Sequence, residues 1–584
     1  VSDPAASLPS TESLEPAEGV DPSAPHEVPP GPPGKRPSQA GAASVFAGII
    51  LSRLMGMVRE KAFAHYLGVG VFQDAMTAAF RVPNILQNLL GEGVLSASFI
   101  PIYTGLIEEG KREEAGKFAG AIFGLMAAAA AAFSLLGILL AKPIVFLLAS
   151  GFVGDAAAVA AGKLPVDRFA LAVTGIRILF PMAGLLVLSV WALAILNSNR
   201  RFFLPYFAPV LWNSAIIAAL VFVGTWLAGT QDVARQVALF KAACWGAFAG
   251  GLLQFVVQLP LVFRLLQGFR PSLSLAVPGV REALHAWGPA VAGRGVVQLA
   301  GYIDLTLASW LATGAASADR FAQMFYLLPI SLFGISLAAS ELPEMSRLRG
   351  EGMAAALLAR VRRALSYVAF LNIPTVVGYL AFGYLVIGGF YRGGKFGVAD
   401  NWLVYLVLCG YSTGIVATTT SRLLQNTFYA LGDTRSPARI AAIRVGTSIA
   451  VALPVMFLLD RFRLTSLVGP LPGKQTLYLG SVGLAHDSGV GAWMELYQLR
   501  AVLRKRLPDF ELPWRDDARM ALLALAATLP GALVWWLLPP GLRPIFKAVL
   551  VLGTYGTAYL AFAKLAGLEE IESLLAGVRR RLRR

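Results

Sequence analysis

Ionisable residues stand where the surrounding sequence is otherwise apolar, in three places. Ser52, Arg53, Arg59, Glu60 and Lys61 fall in the first apolar segment, and Asp74, Arg81, Asn84, Gln87, Asn88 and Glu92 in the second. Arg294, Gln298 and Asp304 fall in the seventh. Arg53 and Glu60 are seven residues apart, so a helix places them on one face, with Arg59 next to Glu60. Arg294 and Asp304 lie ten apart, roughly 15 Å along a helix, too far to pair with each other. A charge in hydrocarbon costs several kcal/mol unless it meets a partner or water, and so marks a functional site by default. The chemistry on offer is recognition of charge by guanidinium and carboxylate groups. No phosphate-binding loop of the Walker type, paired metal-binding histidines or nucleophile elbow occurs in the sequence. Cys244 and Cys409 lie in separate apolar segments and form no disulfide framework.

The elements that must carry these groups follow from composition. The 584 residues are 56% hydrophobic and 14% charged, with mean hydropathy +0.64, against roughly 25% charged in soluble domains. Apolar stretches of roughly 20 residues recur along nearly the whole chain, and the expected fold is an all-α polytopic membrane protein of about fourteen spans. Barrel strands are excluded because the stretches are too long and too continuously apolar. The spans are expected to begin near residues 42, 75, 117, 169, 203, 238, 284, 320, 364, 400, 437, 476, 517 and 544. Residues 1–40, rich in Pro, Ser, Ala and Glu, read as a disordered tail.

The net charge of +16 belongs to topology rather than to nucleic-acid binding. Alternate loops collect Lys111, Arg112 and Lys117; Arg200 and Arg201; Arg264, Arg270 and Arg281; Arg347, Arg360, Arg362 and Arg363; Arg504, Lys505 and Arg506. The opposite loops are poorer in Lys and Arg, which predicts cytoplasmic N- and C-termini. A weak echo, Pro83 and Pro101 around Gly91 and Gly93 against Pro329 and Pro343 around Gly334, suggests two pseudo-repeated six-helix lobes plus two C-terminal helices. The boundaries expected are 41–270 and 271–510 for the lobes and 511–584 for the last spans and basic tail. At the start of the eighth span Arg320 is expected to snorkel to the membrane surface.

Certain strings are more specific: Ser52-Arg53 with Gly56 and Arg59-Glu60, Asp74-Ala75 with Phe80, Val82-Pro83-Asn84, and Gly91-Glu92-Gly93 leading to Phe99-Ile100-Pro101. Gly288-Pro289-Ala290, Gln298 and Asp304 with Leu307-Ala308-Ser309, Leu328-Pro329, Leu342-Pro343 and Phe428-Tyr429-Ala430-Leu431 with Gly432-Asp433 continue the pattern. In these the chain resembles the MurJ (MviN) family of lipid II flippases, within the superfamily of multidrug, oligosaccharidyl-lipid and polysaccharide exporters. The resemblance implies a transporter rather than an enzyme. It would move an undecaprenyl-diphosphate-linked peptidoglycan precursor from the inner to the outer leaflet of the bacterial inner membrane by alternating access. Peptidoglycan-synthesis proteins are implied as partners. A related exporter of another oligosaccharide-lipid or drug, or a scaffold without transport, is the rival reading.

The resemblance further implies a cytoplasm-facing cavity between the lobes and a groove at the last two helices for the polyprenyl tail. Arg53, Arg59, Asp74, Asn84 and Ser317 match its substrate-binding positions, with Glu60, Glu92 and Gln298 lining or gating the cavity. The fork of an arginine suits a diphosphate. Two positions depart from the pattern: Gln87 and Met324 stand where arginine is usual. Arg294 is expected to restore a cation to the cavity, with Arg294→Ala damaging and Arg320→Ala tolerated. Asp304 matches one ligand of a cation site whose other positions are Ser448 and Ala452. No cofactor is expected, and the drive is the membrane potential or a monovalent cation.

Overall fold

The computed structural model describes residues 39–572 except 91, 230–232, 349–352 and 473–475, and leaves undescribed the side chains of 39–46, 82–90, 92–94, 96–97, 288–301, 335–336 and 339–340. Almost all of the tail expected to be disordered, and the basic C-terminus, therefore lie outside the described residues.

Helices dominate, because a backbone in lipid must satisfy its own hydrogen bonds. The first group comprises α1 (Gln39–Leu67), α2 (Val71–Leu90), α3 (Glu92–Glu108), α4 (Arg112–Leu139), α5 (Ala141–Leu148), α6 (Asp155–Ala160), α7 (Arg168–Ser198), α8 (Phe203–Trp226), α9 (Val233–Val256) and α10 (Leu259–Leu265). The second comprises α11 (Val280–Trp310), α12 (Ala315–Pro329), α13 (Ser336–Arg347), α14 (Ala354–Tyr391), α15 (Val398–Ser412), α16 (Ile415–Ala430), α17 (Arg435–Leu459), α18 (Leu464–Val468) and α19 (Gly480–Arg506). The chain closes with α20 (Trp514–Leu537) and α21 (Pro544–Leu565). Among the described residues nine helical spans are long and apolar enough to cross a membrane, and the bent pair after Ala141 would make ten. The chain is a multi-pass membrane protein.

Packing sorts most of the helices into two bundles, and α11 lies between them, seated mainly on α2, α3 and the segment that follows α5. In the first, α7 packs on α2, α4 and α9, and α8 on α1 and α9. In the second, α19 packs on α15, α16 and α17, while α14 carries α20 and α21 on its flank. The bundles touch where α2 meets α11 and α12, and where α3 meets α11. Five of the in-span charges sit on these meeting helices: Asp74 and Arg81 on α2, Asp304 on α11, Asp319 and Arg320 on α12.

Two local devices fix the meeting elements. After Pro329 the ladder loosens into a π-helical stretch, Ile330–Ile335, before α13 resumes; proline has no N–H to donate, so the chain re-registers there. In the connection between bundles, residues 267–272 lie against Gly116, Gly120 and Gly124 of α4. A Cβ built on Gly120 would stand 2.2 Å from the Arg270 carbonyl oxygen, so only glycine admits this backbone.

One face of the molecule bears the basic connections after α3, α7, α10 and α19, and is called the basic face. The opposite face carries the turn at 68–70, the α5–α6 segment, the α11–α12 turn and the 392–397 turn.

Candidate functional site

Two polar clusters tie the bundles together. The first lies on α1 and α12. Glu60 is buried, and its Oε1 accepts from Arg59 Nη2 at 2.8 Å and from Arg320 Nη2 at 2.8 Å, while Oε2 accepts from Arg320 Nε at 3.2 Å. Two guanidinium groups share one carboxylate, leaving the cluster one positive charge in excess (2 − 1 = 1). Both arginines rest on aromatic faces: Arg59 is 5.0 Å from the Trp212 ring centre, and Arg320 is 5.9 Å from that of Phe63. Such stacking fixes the guanidinium plane while leaving its donors free. The buried Nε of Arg59 has no acceptor among the described residues, so this cation keeps a hydrogen-bond donor in reserve.

Arg320 corrects a sequence expectation. It does not lift its head to the membrane surface: its side chain is 20% exposed and turned inward onto Glu60. A carboxylate across the bundle boundary is a stronger attractor than the interface, because a half-buried ion pair is screened less than a surface charge. The partner is 260 residues away, which no local spacing could announce.

The second cluster lies towards the opposite face. Gly314 precedes α12 with φ +96°, a left-handed conformation that suits glycine, and having no side chain it cannot cap the helix itself. Asp74 of α2 does so from the other bundle: Oδ2 accepts from Gly314 N at 2.7 Å and Oδ1 from Ser317 N at 2.9 Å. A carboxylate at a helix N-terminus meets orphan N–H groups and the positive end of the dipole. The Ser317 hydroxyl accepts from Gly70 N at 3.1 Å, so the two chain segments clasp each other. Nearby, Gly151 N donates to Ser309 Oγ at 3.1 Å and Trp310 Nε1 to Ser150 Oγ at 2.8 Å. Lys395 N donates to the His65 carbonyl at 2.8 Å. With Phe63, Leu67, Val69, Phe321 and Phe396 packed in one core, the bundles are sealed on this side.

Sequence-expected residues therefore divide. Arg59 joins Glu60, and Asp74 joins Ser317, the latter pair fully buried in the seal. Arg53 is exposed on α1 on the basic-face side of Glu60, and Asp304 is exposed on α11. The side chains of Asn84, Glu92, Arg294 and Gln298 lie outside the described residues, although their backbones are helical. Asp319 accepts hydrogen bonds from the Tyr411 hydroxyl and from Gln323 Nε2, the latter at 2.9 Å. Arg444 donates to Glu495 at 2.6 Å. Sequence reasoning missed Arg168 and Asp155, which pair beside Asp74. The signal available was an aspartate thirteen residues before an arginine in the connection that leads into an apolar helix.

As for a cation, among the described residues no group of three or more His, Cys, Asp or Glu could hold a metal. Ala452, at one position of the cation site that Asp304 matches, has no side-chain donor to offer an ion.

Comparison with known proteins bears on the whole arrangement. The model of the family described as lipid II flippase MurJ matches residues 63–554. The chain belongs to the MurJ family. It is 31% identical over 490 residues to the lipid II flippase MurJ of Burkholderia cenocepacia, covering 83% of this chain and 87% of that one. It is 30% identical to the probable lipid II flippase MurJ of Rhizobium meliloti, covering 70% of this chain and 74% of that one. Among solved structures it is similar to a lipid II flippase MurJ in an inward closed conformation, with TM-score 0.67 and 20% identity, over 90% of this chain and 98% of that one. An inward-facing multidrug transporter of the MATE family shares the fold at TM-score 0.56 and 15% identity, over 80% and 98% of the two chains.

Proposed function

We propose that the chain is a lipid II flippase. It takes a lipid-linked peptidoglycan precursor from the inner leaflet of the bacterial cytoplasmic membrane and delivers it to the outer leaflet by alternating access. We take the basic face as the cytoplasmic one, with both termini inside; the asymmetry of Lys and Arg between the loops supports this orientation.

The observation that carries this reading is the Arg59–Glu60–Arg320 cluster, with its excess positive charge and reserve Arg59 donor, lying under a seal closed on the far side. A diphosphate entering past Arg53 meets donors that are already aimed and stacked, and charge-assisted hydrogen bonds from a guanidinium fork are the strong kind. Neutralising the excess charge weakens the hold of Arg320 on Glu60. Release of that pair, together with the Asp74 cap, lets the bundles part on the opposite face. α20 and α21, held on α14, offer the apolar flank where a polyprenyl chain can remain in lipid contact while the head group crosses.

The drive we assign is the membrane potential. A unit charge crossing 100 mV is worth about 2.3 kcal/mol, enough to bias the return of empty, positively lined bundles towards the negative cytoplasmic side. The test is a purified-protein flipping assay in vesicles with labelled lipid II, comparing the wild type with Arg53→Ala and Arg59→Ala. Transport by the wild type and its loss in Arg59→Ala are expected; equal transport by all three would overturn the reading.

A further inference from the structure

The seal contains a charge problem that its visible hydrogen bonds solve only while it is shut. Asp74 is buried to within 1% and has three donors: Gly314 N, Ser317 N and Arg168 Nη1, the last at 3.4 Å. The first two belong to the second bundle and leave with it. Arg168 starts α7 in the same bundle as Asp74, so it stays.

Arg168 is not idle in the closed form. Its Nε and Nη2 donate to Asp155 at 2.5 and 3.0 Å, its own backbone N–H donates to Asp155 Oδ2 at 3.2 Å, and its guanidinium lies 4.3 Å from the Phe152 ring centre. Its side chain is 7% exposed and that of Asp155 5%. One cation thus serves two carboxylates, a net charge of −1 (1 − 2 = −1). In the closed form the N-terminus of α12 supplies the missing positive end. When α12 departs, Arg168 is the one cation among the described residues that stays paired with Asp74.

We propose that Arg168 is the positioning residue of the seal: clamped by Asp155, it stays with Asp74 as the bundles part, and the division of its fork between the two carboxylates sets how readily the seal opens. The inference rests on the reading of this contact as the outer gate of an alternating-access transporter. The α12 N-terminus is the partner Asp74 loses on opening and Arg168 the one it keeps, so loss of Arg168 makes the α12 cap the sole support of Asp74 and favours the shut gate. Loss of the Asp155 charge does the reverse, since the whole fork then turns to Asp74 and replaces the departing helix.

The test reads gate opening without substrate. Val69, buried in the seal and 3.1 Å from where a Cβ on Gly314 would stand, is replaced as Val69→Cys in a chain also carrying Cys244→Ala and Cys409→Ala. Labelling by a membrane-impermeant thiol reagent is then timed from the outside in vesicles. Arg168→Gln should slow labelling about tenfold, and Asp155→Asn should speed it by a similar factor. Arg168→Lys, which keeps the charge and loses the fork, should fall between Arg168→Gln and the parent. A loop merely loosened by either change would speed labelling in both variants; that result, or no change in either, overturns the proposal. Lipid II transport measured on the same preparations separates the two readings. Opposite shifts in labelling with no transport by the parent would leave the seal proposal standing and remove the substrate. Transport with labelling indifferent to both variants would do the converse.

Discussion

At the residue scale, the molecule places arginine where lipid would forbid it. Glu60 makes Arg59 and Arg320 tolerable at depth, and the surplus charge makes the pair useful. Arg320→Ala should therefore lower lipid II transport about tenfold or more, since a hydrogen bond to a charged group contributes about 1.5–3 kcal/mol. Arg320→Lys, which keeps the charge without the fork, should recover only part of it. Growth of flippase-depleted cells carrying each variant is the measurement, with membrane insertion checked alongside; normal growth on Arg320→Ala would refute the role. This reverses the tolerance expected from sequence. That Arg59 and Glu60 are charges set in an apolar run, in need of partners, was legible, because such charge announces itself. That Arg320 meets Glu60, or that Asp74 meets Ser317, was not, because those pairings depend on how two bundles dock rather than on anything within a turn of helix.

A second residue acts at the water boundary. Asp433, in the turn between α16 and α17, accepts from Arg435 N and Ser436 N at 3.0 Å each and pairs with Arg506 at 2.7 Å. Burial alone would push its carboxyl up, but the Ser436 hydrogen bonds and the Arg506 charge outweigh it and hold it below the usual carboxylate range. A depressed folded-state value stabilises the fold above the unfolded value and loses that contribution as pH falls through the folded one. Asp433→Asn keeps the capping oxygen and loses the charge facing Arg506, so it should cost a few tenths to about 1 kcal/mol near neutral pH. The gap from the wild type in thermal unfolding in detergent should narrow as pH drops below about 4. A gap independent of pH would contradict the assignment.

At the element scale, the glycine row on α4 is the clearest case of sequence dictating contact. Gly120→Val would drive a side chain into the Arg270 carbonyl and should lower the melting temperature of the detergent-solubilised protein by several degrees. Gly105→Ala, where a Cβ meets nothing within 4 Å, should be neutral or stabilising by up to about 1 kcal/mol. Equal effects would mean that the 267–272 segment is not seated on α4. Each expected span start falls on or beside a helix, since hydrophobic length is a local property. The break after Pro329 was legible as a proline; its π-helical form was not, because it is decided by which carbonyls the neighbouring helices leave to be satisfied.

At the scale of the whole molecule, the bundles are joined by polar contacts at the opposite face while Arg53 and Asp304 remain exposed elsewhere on the two bundles. Charged elements that move through the membrane field make transport electrically sensitive. Vesicles held at zero potential should transport lipid II about tenfold or more slowly than vesicles with 100 mV negative on the cytoplasmic side, one charge being worth about 2.3 kcal/mol. Replacing sodium by potassium should leave the rate unchanged, because Ala452 provides no ligand. A rate that follows sodium and ignores voltage would sink this account.

The helix that begins after Gly314 has no cap of its own and relies on a carboxylate from α2. Once that carboxylate withdraws, the first N–H groups of α12 face outward with no protein acceptor, and only solvent can meet them at once. Hydration of that single turn is therefore an early step of opening, and a drop of water, rather than the precursor, is the first thing to cross the threshold.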